Sequence, residues 1–285
     1  MHNRPYCATF LNFAGYALGA IRVSALSRFG VIYVMTHDSI GLGEDGPTHQ
    51  PVEMIESLRS MPNCNVLRPC DQNETNAAYR IALGESTTPS IICLSRQTLP
   101  NLPGSDVAKA LKGGYVISAS TLSGPVKVTL VASGSETGLC VNAANLLHAQ
   151  GVKVNVVSMP CMDAFDKQVR EVTAARPLLI RFTANTSTIS SSPSQSDDYK
   201  SSVLGSAPVL AVEAAAAGSW PKYSHVQHCM KTFGASGKGG DLFKHFGFTD
   251  EKVAAKAKKV AEFYEGKAVP DLFNRPSFDD EVTGH

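Results

Sequence analysis

The fold is decided by the stretch Met35-Thr36-His37-Asp38-Ser39-Ile40-Gly41-Leu42-Gly43-Glu44-Asp45-Gly46-Pro47-Thr48-His49-Gln50-Pro51, which follows directly on the apolar run Val31-Ile32-Tyr33-Val34. An apolar strand that opens into a glycine-containing loop with histidines and carboxylates is typical of the carboxyl edge of an α/β sheet. The glycines and prolines shape the backbone, and the imidazoles and carboxylates are left to face a ligand. A polar surface loop with two incidental histidines is the alternative, and the density of reactive groups argues against it.

Strand and helix patterns alternate on both sides of this loop. Before a Pro- and Gly-interrupted linker at 100–113, we predict a helix at 9–28, a strand at 31–35, a short helix at 52–59, a strand at 64–68, a helix at 73–84 capped by Asp71, and a strand at 90–95. This rhythm predicts an α/β fold with a mostly parallel sheet and flanking helices.

The same alternation returns after the linker. Here we predict strands at 126–132, 152–158 and 208–212 and helices at 136–149, 214–229 and 250–265. The tract at about 182–206 is rich in Ser and Thr, and so polar a segment predicts an exposed insertion. The chain is therefore predicted to have two α/β domains, 1–112 and 113–285.

The first predicted sheet is small. Only three predicted strands precede the linker, and the first predicted element is a helix that begins almost at Met1. A doubly wound domain normally opens with a strand. We therefore expect the first domain to be truncated at its start.

Composition narrows the class of ligand. The 285 residues are 43% hydrophobic, and 26 Lys and Arg against 25 Asp and Glu give a net charge of +1. This balance favours a small ligand over nucleic acid or an anionic membrane. Seven scattered cysteines without a C-x-x-C pair predict reduced thiols rather than a zinc site, and they favour a cytoplasmic protein.

Several motifs, in order along the chain, resemble the transketolase family from about residue 5 to residue 268. The most specific is Gly43-Glu44-Asp45-Gly46-Pro47-Thr48-His49-Gln50-Pro51. The others are Thr9-Phe10-Leu11-Asn12-Phe13, Thr36-His37-Asp38-Ser39-Ile40-Gly41, Arg68-Pro69, Ser95-Arg96-Gln97, Phe233-Gly234-Ala235-Ser236-Gly237 and Phe246-Gly247-Phe248-Thr249. The resemblance implies a thiamine-diphosphate pyrimidine-binding domain, truncated at its start, followed by a transketolase C-terminal domain.

The resemblance also implies roles for particular aromatic and catalytic residues. Phe10, Phe13 and Tyr16 match the cluster that walls the aminopyrimidine ring, although an aromatic stripe at this spacing is also typical of a core-facing helix. His49 matches the histidine beside the reacting carbons, where a donor stabilises charge that develops on oxygen.

The same family pattern implies a substrate site. Asp45 matches the residue that reads the stereochemistry of a sugar hydroxyl, and His37 and Arg96 match positions that hold the substrate phosphate. The planar fork of arginine suits that task, although an isolated Arg96 would be typical of a surface ion pair. We therefore expect His49 and His37 to be catalytic and Asp45, His37 and Arg96 to bind substrate.

Two parts of the family machinery are missing from the sequence. Thiamine catalysis needs a carboxylic acid beside the aminopyrimidine, yet residues 1–37 contain no Asp or Glu. The family's metal motif, Gly-Asp-Gly followed by an Asn, is absent too. We therefore predict a split enzyme in which a separate amino-terminal transketolase subunit holds Mg²⁺ or Ca²⁺ and supplies the glutamate. Thiamine diphosphate would be shared by the two subunits, in a heterodimer or heterotetramer that acts on sugar phosphates, and this chain would bind no metal itself.

Two other functions remain open at this point. The chain could be a catalytically silent transketolase-like fragment or paralogue that binds other subunits, a reading to which the Ser-rich tract gives some support. It could also be a related thiamine-dependent synthase with a different substrate, which the flanking motifs fit less closely.

Overall fold

Two β-sheets with flanking helices form the architecture, as seen in a computed structural model that describes residues 4–168 and 197–273. The first sheet has four strands and the second has five. Every strand pair is parallel except one at an edge of the second sheet. The predicted α/β class with two mostly parallel sheets is confirmed.

The first sheet has the strand order β1-β2-β4-β3. Its elements in chain order are β1 (Tyr6–Phe10), α1 (Ala14–Leu26), β2 (Ile32–Thr36), α2 (Met54–Arg59), β3 (Asn65–Leu67), α3 (Gln72–Gly84) and β4 (Ser90–Leu94). The Asp71 carboxylate caps α3 by accepting from the Glu74 N–H at 3.0 Å, as predicted. Because all strands run parallel, the loops after β2 and β4 leave the sheet at the same edge.

The predicted helix at 9–28 is wrong at its start. Residues Tyr6–Phe10 form β1, which pairs in parallel with β2, and the 3₁₀ turn Leu11–Phe13 leads into α1. The spacing of Phe10 and Phe13 does not distinguish an α-helix from a 3₁₀ turn, because side chains three residues apart lie close together in both. The first sheet therefore has four strands, and the domain described here opens with a strand rather than a helix.

The second sheet has the strand order β5-β7-β6-β8-β9, with β5 antiparallel to β7. Its strands are β5 (Tyr115–Ser118), β6 (Val128–Ala132), β7 (Val154–Ser158), β8 (Val209–Glu213) and β9 (Val226–Cys229). The helices of this part of the chain are α4 (Val107–Ala110), α5 (Glu136–His148), α6 (Met162–Asp166), α7 (Asp197–Leu204), α8 (Gly239–His245) and α9 (Asp250–Tyr264).

The second domain differs from the predicted one in several elements. The predicted helix at 214–229 is replaced by the 3₁₀ turn Trp220–Lys222 and by β9, because Gly218 and Pro221 interrupt the Ala-rich run. β5 is not among the predicted strands, and α4 lies within the segment 100–113 that is predicted as a linker. Of the predicted insertion at 182–206, the part up to 196 lies outside the described residues, and α7 occupies most of the remainder.

The two domains both contribute to the largest of the apolar clusters. The largest buried cluster contains Ile40 and Val52 from the first domain together with Leu242 and Phe248 from the second.

All seven cysteines are unpaired, and five of them are buried. Among the described residues, none of the helices has the length and apolar character that crossing a bilayer requires.

Candidate active site

The loop that follows β2 closes against the second domain. Ser39 begins its 3₁₀ turn, Ile40–Leu42, by accepting a hydrogen bond from the Gly41 N–H at 3.2 Å. Gly43 and Gly46 both have positive φ, at 93° and 79°. A Cβ atom on Gly46 would lie 2.6 Å from Ser236 Oγ, so only glycine permits this approach.

Gln50 fastens the end of the loop to both domains. Its Nε2 donates to the Gly43 carbonyl at 2.8 Å and to the Ala235 carbonyl at 3.0 Å. The side chain is buried, and a Cβ atom on Gly234 would collide with Gln50 Oε1. The motif around Phe233–Gly237 therefore serves as the surface on which the loop rests. The sequence indicated both segments but not that they touch.

A continuous row of rings lies along this edge of the first sheet. The His37 imidazole stacks on Phe10 with centroids 3.8 Å apart, and Phe10 stacks on Phe13 at 6.0 Å. Phe13 in turn contacts Tyr16, with centroids 6.1 Å apart, and makes a T-shaped contact with His49 at 5.2 Å. Phe10 and Phe13 are half-buried and Tyr16 is 90% exposed, so these rings are not part of the interior core.

His49 is held by its neighbours in the loop. Its Nδ1 lies 2.9 Å from Thr48 Oγ1, and the Thr48 carbonyl accepts a hydrogen bond from Asn12 Nδ2. Because Asn12 belongs to the 3₁₀ turn between Phe10 and Phe13, the histidine and the ring row are fixed to one another. Among the described residues, His49 Nε2 has no hydrogen-bond partner, so this nitrogen can serve a ligand.

His37 occupies a special backbone position at the end of β2. Its φ is 61°, a left-handed conformation that is uncommon for a residue with a side chain. Burial lowers the pKa of the imidazole, and the Arg96 guanidinium lowers that pKa further, while Asp45 and Asp38 act in the opposite direction. The imidazole is therefore mainly neutral at pH 7, and its Nδ1 lies 2.9 Å from Thr36 Oγ1.

Arg96 and Asp45, the other predicted substrate residues, lie close to His37. Arg96 and Asp45 are both exposed, and both lie near enough to His37 to influence its pKa. One face of the protein thus carries a guanidinium, a carboxylate and two imidazoles next to a wall of aromatic rings. Such a surface can hold a flat heterocycle beside a hydroxylated anion.

One functional candidate beneath the loop was missed by sequence reasoning. Asp38 is buried next to His37, and its Oδ2 accepts from Arg68 Nε at 2.8 Å. Arg68 entered the sequence analysis only as part of a family motif. The sequence does carry a signal for this pair, because Arg68 directly follows the apolar strand β3. A buried guanidinium at that position requires a carboxylate partner.

The residues fit thiamine diphosphate in part. Three accessible rings can wall an aminopyrimidine, and the exposed Arg96, which forms no ion pair among the described residues, can bind an anion. Within residues 4–168 and 197–273, no three His, Cys, Asp or Glu side chains lie together as ligands for a metal ion. The chain therefore offers a wall for the heterocycle, and its described part offers no grouped set of metal ligands.

Comparisons with known proteins identify the family. The profile described as the transketolase pyrimidine-binding domain matches residues 1–101, and that of the transketolase-like C-terminal domain matches residues 113–249. The chain belongs to the transketolase family. Transketolase 1 of Candida albicans is 47% identical over 273 residues, which cover 95% of this chain and 36% of that protein.

Solved structures agree with this assignment. The transketolase of Pichia stipitis in complex with sedoheptulose 7-phosphate is 45% identical, with a TM-score of 0.82 over 96% of this chain and 36% of that one. A structure described as the inactive β4 tetramer of a split-gene transketolase shares the fold, with 22% identity and a TM-score of 0.67 over 90% of this chain and 76% of that one. The chain thus spans about a third of the length of the curated transketolases that it matches.

Proposed function

We propose that this transketolase-family chain is the carboxyl-terminal subunit of a divided transketolase. Together with an amino-terminal subunit, it transfers a two-carbon ketol unit from a ketose phosphate to an aldose phosphate. The observation that carries the proposal is the accessible ring row that joins His37 to Phe10, Phe13 and His49. A stripe that served only as core would be closed off from ligands.

Thiamine diphosphate, when bound, supplies the nucleophilic carbon and the electron sink for ketol transfer. Phe10, Phe13 and Tyr16 wall its aminopyrimidine, because rings at these separations present faces and edges to a flat heterocycle. The partner holds the diphosphate with Mg²⁺ or Ca²⁺ and supplies the activating glutamate.

The loop residues act on the sugar. His49 offers Nε2 to the oxygen on which charge develops, and Thr48 and Asn12 keep the ring in place. Asp45 selects the configuration of a sugar hydroxyl. Arg96 binds the phosphate with its planar fork, and the neutral His37 donates a further hydrogen bond to it.

An exposed apolar surface supports the existence of a partner. Ten large hydrophobic side chains are exposed among the described residues, and half of them lie between residues 6 and 29: Tyr6, Tyr16, Val23, Leu26 and Phe29. The edge strand β1 is exposed at its first three residues as well. Concentrated apolar surface beside an open strand edge is typical of a protein–protein interface. An obligate interface of this kind buries more than about 2,000 Å².

Reconstitution tests the proposal. The purified chain is assayed for ketol transfer with thiamine diphosphate, Mg²⁺, sedoheptulose 7-phosphate as donor and an aldose phosphate as acceptor. The same assay is then run after co-expression with an amino-terminal transketolase polypeptide from the same genome. We expect no turnover by the chain alone and measurable turnover by the co-purified complex.

The other outcomes separate the alternatives. Turnover by the pure chain would refute the requirement for a partner. A stable complex without turnover would favour the silent binding protein. Transfer of the two-carbon unit to a different aldehyde, with no aldose phosphate accepted, would favour a related thiamine-dependent synthase.

A further inference from the structure

A buried chain of ionic contacts connects the second domain to the backbone of the candidate active site. Arg68 lies at its centre and is fully buried. Its Nε donates to Asp38 Oδ2 at 2.8 Å, and its Nη1 donates to the Ser133 carbonyl at 2.9 Å and to Glu136 Oε2 at 2.5 Å. Asp38 directly follows His37, whereas Ser133 and Glu136 belong to the second domain.

The second domain is shaped to receive this guanidinium. Gly134 has a φ of 56°, and a Cβ atom there would lie 2.8 Å from Arg68 Cζ. The Gly134 N–H also donates to the Arg68 carbonyl at 2.9 Å. Glu136 is fixed independently, because its Oε2 accepts from the Ala214 N–H at 3.0 Å and its Oε1 accepts from Ser135 Oγ at 2.6 Å.

The fork of an arginine is what makes the connection possible. Nε and Nη1 point in different directions, so a single side chain binds a carboxylate from each domain at the same time. A lysine ammonium has the same charge but presents it at one point, and it cannot span both carboxylates in this geometry. The identity of residue 68 is therefore a geometric requirement as well as an electrostatic one.

We infer that Arg68 is a positioning residue through which the second domain sets the left-handed backbone of His37. The Glu136 carboxylate fixes the guanidinium, the guanidinium fixes Asp38, and Asp38 holds the backbone at the point where His37 adopts its φ of 61°. The stacking of His37 on Phe10, at 3.8 Å, follows from that backbone position. The C-terminal domain thereby acts on the site through the buried Arg68–Glu136 and Arg68–Asp38 contacts.

A neighbouring arginine provides the matched control. Arg59 is almost completely buried and binds Glu213 with two hydrogen bonds, at 2.7 and 2.9 Å. Glu213 also lies 3.6 Å from Arg68 Nη1, so both arginines belong to the same ionic cluster. Arg59 makes no contact with Asp38 among the described residues. Arg59→Lys thus disturbs the cluster but leaves both the Arg68–Asp38 and the Arg68–Glu136 hydrogen bonds in place.

The test uses the full chain without any partner. The His37 resonances are assigned by comparison with His37→Gln, and their pH titration is followed by NMR in the unchanged chain, in Arg68→Lys and in Arg59→Lys. We expect Arg68→Lys to change both the chemical shift and the pKa of His37, whereas Arg59→Lys leaves both unchanged. Equal effects of the two variants, or no effect of Arg68→Lys in a folded chain, would overturn the inference.

Glu136→Gln keeps the test decisive if Arg68→Lys does not fold. The amide retains the volume of Glu136 and one acceptor oxygen, and it weakens the anchor while leaving the Arg68–Asp38 pair intact. We expect a smaller shift of the His37 resonances in the same direction. An unchanged His37 spectrum in folded Glu136→Gln would contradict the inference.

The catalytic consequence rests on the proposed function. In the reconstituted enzyme, Arg68→Lys should raise KM for a phosphorylated acceptor relative to KM for an unphosphorylated acceptor. We expect the ratio of the two KM values to rise on the order of tenfold, as for one weakened charge-assisted contact. Because the NMR test needs no partner and no turnover, the inference and the proposed function can fail separately.

Discussion

The His49 imidazole packs against Phe13 in a T-shaped arrangement, with centroids 5.2 Å apart and ring planes inclined by 75°. One residue comes from the loop after β2 and the other from the turn after β1, so adjacent parallel strands bring them together. The contact places a polar ring nitrogen at the border of an apolar wall. A site of this kind can contact an apolar ring and a hydroxylated ligand at the same time.

Replacing His49 should reduce catalysis with little effect on folding. In the reconstituted enzyme we expect His49→Ala to lower kcat by roughly 10²-fold, because one donor to developing negative charge is lost. Steady-state kinetics measure the change, and thermal unfolding verifies the fold. His245→Ala, at an exposed histidine on α8, is the control and should retain full activity. Equal activity of the two variants would remove His49 from the mechanism.

Phe13 should govern affinity for the cofactor. Phe13→Leu keeps an apolar side chain but removes the ring that contacts both Phe10 and His49. We expect the Kd for thiamine diphosphate to rise about 2- to 10-fold, which corresponds to the loss of about 0.5–1.5 kcal/mol of aromatic contact. Calorimetric titration of the complex measures this Kd. Phe263→Leu, at an exposed phenylalanine on α9, should leave it unchanged.

Arg96 should distinguish phosphorylated from unphosphorylated acceptors. Arg96→Lys retains the charge and loses the planar fork, so KM for an aldose phosphate should rise about tenfold while KM for an unphosphorylated aldose stays the same. Arg80→Lys, at an exposed arginine on α3, controls for the substitution itself. A parallel rise of both KM values would place Arg96 away from the phosphate.

The loop at the end of β2 could be predicted from sequence because local signals coincide there. An apolar run ends at Met35, and glycines and prolines then shape the residues that carry His37 and His49. The start of the chain was misread because aromatic residues three apart fit a helix as well as a strand that continues into a 3₁₀ turn. Only the parallel pairing with β2 decides between the two, and pairing is a tertiary property.

The seam between the domains could not be predicted. Gln50 donates a hydrogen bond to the Ala235 carbonyl, and the two residues are 185 positions apart in sequence. Arg68 and Glu136 are likewise separated by 68 residues. No local pattern encodes such contacts, so the sequence yielded the residues of the opening but not the buried groups that hold them in place.

Gln50 should stabilise the seam. Gln50→Ala leaves the Gly43 and Ala235 carbonyls without their amide donor in a buried position. We expect a loss of about 1–3 kcal/mol in the free energy of unfolding, as for other unsatisfied buried groups. Urea denaturation of the isolated chain measures it. Gln150→Ala, at an exposed turn, should change the midpoint little, and equal midpoints for the two variants would contradict the assignment.

Glu213 should make the fold sensitive to acid. Burial alone would raise the pKa of Glu213, but Arg59 and Arg68 outweigh that effect and hold the pKa at about 2, below its ordinary value of 4.5. Above pH 4.5 the carboxylate is ionised in both the folded and the unfolded chain, and the ion pairs contribute fully to stability. As the pH falls from 4.5 towards 2, the unfolded chain takes up the proton first, and this contribution of about 3 kcal/mol is lost.

Glu136 titrates with the opposite sign. Burial raises its pKa above 4.5, although Arg68 offsets part of that rise, so the folded chain binds this proton more tightly than the unfolded chain does. Its contribution is present below pH 4.5 and is lost as the pH rises through the folded pKa.

Because the two glutamates act in opposite directions, the loss of stability in acid that is due to Glu213 is best measured by comparing variants. Unfolding free energies between pH 6 and pH 3 should decline less steeply in Glu213→Gln than in the unchanged chain. Glu262→Gln, at an exposed position on α9, should keep the full decline, whereas equal slopes in all three proteins would show that the Arg59–Glu213 pair does not determine acid stability.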